Sequence, residues 1–226
     1  MTSEAFLSGH PDLRYRLLGL DEIKQGKHAN AFRFFQRAAY YADKPSQGMV
    51  AEMLWTGQGV PRDQALAYAW MDLAAERGYL PFLGARERYW AGLSEAERVR
   101  AVEEGQAVYS TYGDAAAKPR IASILRRARK EVTGSRTGSV GSLQVYVAGP
   151  SGFERIDGSK FYDPKYWDSE KYQAWQDAIW MKPRIGRVTV GEVDAVRDGK
   201  PADGTSRVPT SPPRTDSLEW QKPARD

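Results

Sequence analysis

Residues 49–79 read MVAEMLWTGQGVPRDQALAYAWMDLAAERGY, and the spacing of small and aromatic residues in this stretch decides the fold. Apolar residues between Leu66 and Ala74 fall on one face of a helix, and Gly78 stands where such a helix ends. Asp63 precedes the helix as a candidate N-cap. The GQGVP segment before it supplies glycines that suit a tight connection. The stretch therefore predicts two helices joined by a tight turn.

The chain repeats this pattern with a period of about 36 residues, which is the length of a helix-turn-helix unit. A weaker echo at an offset of 35 joins Trp55-Thr56-Gly57 to Trp90-Ala91-Gly92. Alanine at the contact positions lets antiparallel helices approach each other closely. The residues that match at an offset of 36 are Ala29 and Ala65, Ala31 and Ala67, Phe32 and Tyr68, Phe34 and Trp70, Ala38 and Ala74, and Ala39 and Ala75.

This stretch closely resembles the Sel-one-like repeat (SLR) family, relatives of the tetratricopeptide repeats. The resemblance covers one full unit at 49–79, a second helix before it at 29–42, and a degenerate unit after it at 80–112. The degenerate unit lacks the Gly-x-Gly-Val turn, which is typical of a terminal, capping unit. The residues that carry the resemblance are Gly57, Gly59, Val60, Asp63, Ala67, Trp70, Ala74, Ala75 and Gly78.

The resemblance implies a mainly α fold, a short solenoid of antiparallel helix pairs. It also implies a non-enzymatic scaffold or adaptor that binds another protein or peptide, with no cofactor. In this architecture the first helix of each pair lines the concave side. Met53 and Trp55 can instead be core residues, and that interpretation stays open. The candidate partner-binding residues are Met49, Glu52, Met53, Trp55, Arg86, Tyr89 and Trp90.

Three regions follow from the pattern along the chain. A helical repeat domain is predicted over 1–133, and its helix at 94–113 carries an apolar stripe of Val99, Val102, Gln106 and Tyr109. An appendix over 134–196 contains two strands, 143–147 and 186–191, that are a candidate pair, and one helix over 169–180. The tail at 197–226 is rich in proline, glycine and charge and is expected to be disordered.

The composition excludes several kinds of site. The chain has no cysteine and two histidines, so disulfides, cysteine–zinc sites and three-histidine metal sites are impossible. His10 and His28 have no partners at a diagnostic spacing, and we expect both at the surface. No metal site and no enzymatic activity are predicted. The sequence shows neither a secretory leader nor an apolar run long enough to span a bilayer. The prediction is a cytoplasmic protein, or a periplasmic one if a leader has been removed.

The net charge of +4 is concentrated in one segment. Residues 118–136 carry a net charge of +6, so the rest of the chain is slightly acidic. Arg126, Arg127 and Lys130 are candidate anion-binding residues, and a solvated helix face is the other interpretation. No motif for specific nucleic-acid recognition accompanies them.

Aromatic residues are dense between Phe153 and Trp180. They can stack on sugars or dock the appendix onto the helices, and we favour docking because large aromatics mostly bury area. The alternative function is therefore an envelope-associated binder of a glycan or an anionic polymer, through the 153–180 aromatics or the 118–136 basic helix. The oligomeric state stays open.

Overall fold

A computed structural model describes residues 3–133, 144–149 and 152–182, all of which belong to one compact unit. Helices dominate it, as predicted. The elements in chain order are α1 (Glu4–Ser8), α2 (Pro11–Lys24), α3 (His28–Ala39), α4 (Lys44–Thr56), α5 (Gln64–Ala74) with a 3-10 turn at Ala75–Arg77, α6 (Leu80–Gly92), α7 (Glu95–Tyr112), α8 (Asp114–Thr133), β1 (Gln144–Gly149), β2 (Gly152–Asp157), α9 (Gly158–Phe161), α10 (Pro164–Trp167) and α11 (Ser169–Trp180).

The glycine-rich turn between α4 and α5 explains why the repeat needs its Gly-x-Gly pattern. Gly57 follows the last residue of α4 as its C-cap, with a φ of +76°. Asp63 caps α5 by accepting a hydrogen bond from the Leu66 amide at 3.0 Å. Gly59 has a φ of +78° and lies against the start of α3. A Cβ at Gly59 would stand 2.5 Å from the carbonyl carbon of His28. The turn therefore also joins this repeat to the preceding one.

Small residues bring the paired helices together. Helix α2 packs on α3 and α4 on α5, and α3 and α5 bury alanines against their partners. At Gly48 on α4, a Cβ would meet the Phe82 ring at 2.8 Å, so the backbone of α4 lies directly against an aromatic ring from α6. The period seen in the sequence thus corresponds to successive helix pairs that contact through alanine and glycine.

The predicted apolar stripe of α7 is wrong. Val99 and Val102 are 57% and 58% exposed, whereas Ala101 and Val108 are buried. Gly105 lies between these two buried residues, and a Cβ there would contact Ala69 of α5 at 3.8 Å. Because α5 offers alanines at this contact, α7 turns its small residues toward it and leaves its valines outside.

Helix α8 leads from the third helix pair to the N-terminal end of the array. Its buried residues Ile121 and Leu125 join Phe6 of α1, Leu13 of α2 and a group of aromatics from α9 to α11 in one core cluster. The last part of the repeat array and the appendix therefore close over the first helices. This cluster confirms the preferred interpretation of the aromatic segment, in which the rings dock the appendix.

The structure contains a strand, β2, that the sequence did not predict. β1 pairs antiparallel with β2, with Gln144 opposite Asp157 and Gly149 opposite Gly152. Only two residues separate the strands, so closing this hairpin costs less chain entropy than pairing β1 with a distant segment. The predicted strand at 186–191 and the predicted disordered tail at 197–226 lie outside the described residues. The appendix also contains α9 and α10, two short helices that are capped by Asp157 and Asp163.

We expect Gly59→Ala to destabilise the protein far more than Gly26→Ala. Both glycines have a positive φ, but a Cβ at Gly26 meets nothing within 4 Å. Gly26→Ala therefore reports the backbone strain alone, whereas Gly59→Ala adds a collision with the backbone of α3. The extra loss should be about 1 to 3 kcal/mol in the free energy of unfolding, measured by urea denaturation. Equal losses in the two variants would show that the close approach at Gly59 contributes nothing.

Candidate functional site

Two aromatic rings from successive first helices stack on each other. Trp55, near the end of α4, lies parallel to Tyr89 of α6, with ring centroids 4.1 Å apart and an interplanar angle of 14°. Trp55 also packs against the end of α6, where a Cβ at Gly92 would lie 3.1 Å from its ring. Tyr89 is 9% exposed and Trp55 remains partly exposed. The stack joins the ends of α4 and α6, and the Trp55 ring, which also packs against a buried cluster that includes Ala65 of α5, keeps part of its apolar surface exposed.

Glu52 lies one turn before Trp55 on the same helix and is only partly exposed. Burial raises the pKa of its carboxyl group, and burial together with the charge of Glu52 raises the pKa of Tyr89. Within the described residues, no Lys or Arg lies within ion-pairing distance of Glu52. Its carboxylate is therefore partly desolvated without a compensating charge. We call Glu52, Trp55 and Tyr89 the α4–α6 surface.

The other four candidate partner-binding residues lie elsewhere. Met53 is fully buried and Met49 is 9% exposed, so both belong to the core. Arg86 pairs with Glu87 at 2.7 Å and with Asp72 of α5 at 3.4 Å. Trp90 packs on Tyr68 of α5, with ring centroids 4.8 Å apart, and Arg98 lies over its ring. The structure thus brings three of the seven together and turns the remainder toward the core, α5 and α7.

Helix α11 crosses the N-terminal ends of the first helices. Tyr172 donates a hydrogen bond to Asp12 at the start of α2 at 2.5 Å, and Trp180 stacks on Phe82 in the first turn of α6, with centroids 5.8 Å apart. Between these contacts, the α11 side chains and Lys44 of α4 line a cavity of about 10 Å³. This space holds about one water molecule and is too small for a substrate. The α4–α6 surface lies toward the opposite ends of α4 and α6.

The comparison with protein families agrees with this pattern of helix pairs. A sequence model of the Sel1 repeat family matches residues 9–40 and 45–79. Residues 9–40 and 45–79 are therefore Sel1-like repeats. The first matched range spans both α2 and α3, whereas the resemblance seen in the sequence covers only the second of these helices. The degenerate unit at 80–112 lies beyond both matched ranges, and its helices α6 and α7 close the array.

No curated protein matches the chain. Among solved structures, the chain is similar to the crystal structure of c5321, a protective antigen present in uropathogenic Escherichia coli strains displaying an SLR fold. The identity is 24% and the TM-score is 0.42, over 47% of this chain and 24% of that protein. The chain therefore spans about a quarter of the length of that structure. Sel1 repeats commonly mediate protein interactions, and proteins of this fold are typically non-enzymatic scaffolds.

Below α11, the Sel1-like array contains a buried ionic network that sequence reasoning missed. Arg77 donates two hydrogen bonds to Asp114 of α8, both at 2.8 Å, and one to the Ala42 carbonyl at 3.2 Å. Lys44 is 1% exposed and pairs with Glu76 at 2.5 Å and with Asp114 at 3.2 Å. Burial alone would raise the pKa of Asp114, but hydrogen bonds from Arg77 and the charge of Lys44 hold it well below its ordinary value. No motif signals these pairs, because the partners are more than 30 residues apart.

His10 is fully buried, so its predicted surface position is wrong. Its Nδ1 and Nε2 atoms lie 2.8 Å from the carbonyl oxygens of Phe6 and Tyr166, and its ring stacks on Phe6. A neutral imidazole donates to only one of these oxygens, whereas an imidazolium donates to both. Burial lowers the pKa of His10, and the two carbonyl oxygens oppose that shift. The appendix covers His10, and no local pattern reveals a contact with a residue 156 positions away.

His28 is partly exposed, and its Nε2 lies 3.4 Å from the side-chain nitrogen of Gln58. In the described part of the chain, no group of three or more His, Cys, Asp and Glu residues could hold a metal ion. Over the same residues, no helix has the length and apolarity that crossing a bilayer requires.

The candidate anion-binding residues divide between two sides of α8. Arg126 and Lys130 line a cleft between α8 and the start of α11, and Arg129 lines it with them. Arg127 is not part of this lining. Half of the eight aromatics proposed for sugar stacking are inaccessible, because Phe161, Tyr162, Trp167 and Tyr172 are at most 3% exposed. Phe153 of β2 is 80% exposed, and Tyr166, Trp175 and Trp180 are partly exposed.

We expect Asp12→Asn to change the pH dependence of stability. Burial and the nearby charge of Asp43 raise the pKa of Asp12 to about 7, well above its value in the unfolded chain. The unfolded chain therefore loses this proton first, and stability falls as the pH rises from about 4 to about 7. Asparagine cannot ionise and can still accept from Tyr172. The stability of Asp12→Asn relative to the wild type should rise by roughly 1 kcal/mol per pH unit over that range.

Urea denaturation at several pH values measures this effect. Asp21→Asn is the matched control, because Asp21 is an exposed carboxylate on the same helix. A stability difference between Asp12→Asn and the wild type that does not change with pH would contradict the assignment of a raised pKa to Asp12.

Arg77→Met should strongly destabilise the protein, because it leaves buried carboxylates without their main partner. The Arg77 side chain is 7% exposed, whereas that of Arg100, which pairs with Asp63, is 47% exposed. We expect Arg77→Met to cost about 3 kcal/mol or more in unfolding free energy, and Arg100→Met about 1 kcal/mol or less. Thermal unfolding monitored by circular dichroism compares the two variants. Similar losses would mean that the network under α11 is no stronger than a surface ion pair.

Proposed function

We propose that this Sel1-like repeat protein is a non-enzymatic adaptor that binds a peptide or protein segment on the α4–α6 surface. The proposal is supported chiefly by Glu52, a partly desolvated carboxylate that has no cationic partner in the described part of the chain. Such a group gains stability when a ligand supplies a cation or an N–H donor. The common role of Sel1 repeats in protein interactions agrees with it.

The rings of Trp55 and Tyr89 indicate the chemistry of the part of the ligand that lies beside Glu52. Trp55 is partly exposed and its ring is held parallel to Tyr89, so its free surface is flat and apolar. Rigid aromatic residues of this kind bind with little loss of conformational entropy and are frequent at the centres of interfaces. The expected ligand therefore places a basic or N–H group on Glu52 and an apolar side chain against Trp55.

Helix α11 limits how much of the first helices is available to a partner. α11 covers the N-terminal ends of the first helices, through Asp12, Lys44 and Phe82. The appendix therefore takes up part of the first-helix layer, and the segments of α4 and α6 near Glu52 and Tyr89 are left for a partner. Arg86 is left out of the proposed site because it is already paired with Asp72 and Glu87. Trp90 is left out because its ring packs on Tyr68 and lies under Arg98.

We expect Glu52→Gln to weaken partner binding by about tenfold or more, since it removes the charge while keeping the shape of the side chain. Arg86→Gln is the matched control because Arg86 is already paired within the chain. Crosslinking in the native host, followed by identification of the captured protein, first supplies the partner. Calorimetric titration of each purified variant with that partner then measures the affinities.

Two outcomes would reject this assignment. In the first, Glu52→Gln binds the identified partner as tightly as the wild type does. In the second, Arg86→Gln loses as much affinity as Glu52→Gln, which would move the interface to the side of α6 that faces α5. Circular dichroism of each variant confirms that the fold is intact before binding is compared.

A further inference from the structure

A cleft of about 220 Å³ lies between α8 and the turn that joins α10 to α11. It shares no residue with the α4–α6 surface, so its role is independent of the proposed adaptor function. One wall is basic and the other carries a carboxylate, a hydroxyl and an indole ring. The lining residues are Ala122, Arg126, Arg129 and Lys130 from α8, and Trp167, Asp168 and Ser169 from the opposite wall.

Three cations are brought together in this cleft. Arg126, Arg129 and Lys130 lie within about one helical turn and project from one side of α8. Among the side chains that the structure describes, no carboxylate lies within ion-pairing distance of Arg126 or Lys130. Like charges at this spacing repel one another, so an anion between them would relieve the repulsion.

The other basic residues of α8 do not extend this site along the helix, since Arg127 is not part of the lining and Lys118 and Arg120 are engaged elsewhere. Lys118 pairs with Asp114 at 2.8 Å. Arg120 donates to the Thr111 carbonyl at 2.6 Å and lies over the ring of Tyr40 at 3.8 Å from its centroid. The basic helix seen in the sequence is therefore not a continuous strip that a long polyanion could follow. The bounded cleft favours a compact ligand.

The charge of the lining indicates what that ligand is. Three cations face one carboxylate, Asp168, so the lining carries a net charge of +2. Asp168 is held in place because it caps α11, accepting from the Glu170 amide at 3.2 Å and the Lys171 amide at 3.1 Å. A phosphate monoester carries a charge of about −1.5 to −2 at neutral pH and offers three acceptor oxygens. Arginine and lysine are the side chains that bind such groups most strongly.

We propose that this cleft binds a compact phosphate dianion, either inorganic phosphate or a terminal phosphomonoester group. Arg126, Arg129 and Lys130 neutralise its charge, and the Ser169 hydroxyl donates a hydrogen bond from the opposite wall. The ring of Trp167 forms an apolar part of the lining, and its Nε1–H donates to the Phe161 carbonyl at 2.7 Å. The carbon skeleton of a phosphomonoester can lie against this ring.

Trp167 provides the readout on the full-length chain. Its indole N–H gives one signal in a ¹H–¹⁵N spectrum, which is assigned by its loss in Trp167→Phe. Inorganic phosphate and phenyl phosphate are titrated separately at constant ionic strength, with sodium chloride as the comparison. We expect a saturable shift of the Trp167 signal with both phosphates and none with chloride, and calorimetry gives the affinities. Absence of a saturable shift with both phosphates would overturn the proposal.

Matched variants separate the cleft from general surface charge. The double variant Arg126→Gln, Lys130→Gln removes two cations that line the cleft, and we expect phosphate to bind it about tenfold more weakly or worse. The double variant Lys24→Gln, Arg33→Gln changes the net charge equally at exposed positions on α2 and α3. It should bind phosphate as the wild type does. Equal loss in both double variants would overturn the proposal, since binding would then follow net charge alone.

A variant with the opposite effect strengthens the test. Asp168→Asn raises the net charge of the lining to +3, because it removes the one carboxylate. Asparagine is also a good N-cap, so α11 should be preserved. We expect phosphate to bind this variant several-fold more tightly, and unchanged or weaker binding would contradict the assigned lining.

Phosphatidic acid vesicles, compared with phosphatidylcholine vesicles, distinguish a lipid headgroup from a soluble phosphate. If the chain sediments with the acidic vesicles and the soluble phosphates also shift Trp167, the cleft accepts a headgroup as its phosphate. If it sediments with these vesicles but neither soluble phosphate shifts Trp167, the basic residues bind a charged membrane surface, and the proposal is wrong.

Discussion

Arg77 donates hydrogen bonds to three parts of the molecule that are far apart in sequence. Its guanidinium binds Asp114 at the start of α8, the Ala42 carbonyl between α3 and α4, and Asp177 of α11. A buried guanidinium is costly unless every N–H finds an acceptor, so these segments must meet at this one point. The direction in which α8 runs, toward the N-terminal end of the array, depends on this requirement. The position of α11 depends on it as well. With α11 in place, the first helices are held at their N-terminal ends.

This arrangement determines which surfaces remain available for function. Because α11 and the aromatic cluster cover the N-terminal ends of α2, α4 and α6, the stacked Trp55 and Tyr89 stand on the uncovered part of the first helices. The same docking creates a second feature, since α10 and α11 provide the wall opposite the basic side of α8. The appendix therefore narrows the binding surface expected of Sel1 repeats and adds a cleft that the repeats alone do not have.

The sequence predicts a structural feature correctly where that feature depends on residues that are close together in the chain. The glycines at 57 and 59 and the cap at Asp63 are conditions for one tight turn, and the structure confirms that turn. The prediction from sequence fails for α7, where the choice between the Val99 and Ala101 faces depends on the alanines of α5. Of the candidate site residues, Glu52, Trp55 and Tyr89 lie together, but Arg86 and Trp90 lie on another side of α6. Spacing along one helix assigns residues to a helix face, and the neighbouring helices decide whether that face is open.

The sequence by itself determined the repeat, its period, its turn chemistry and the docking tendency of the aromatic segment, because these depend on backbone conformation and on apolar periodicity within about 36 residues. Only the tertiary structure decided the strand pairing, the burial of His10 and Asp12, the ionic network around Arg77, and the meeting of Arg126 and Lys130 with Trp167. These features join residues that are distant in sequence, or depend on a choice among competing partners. They form when buried charges and hydrogen-bonding groups must find partners across the assembled core, and no local pattern specifies those partners.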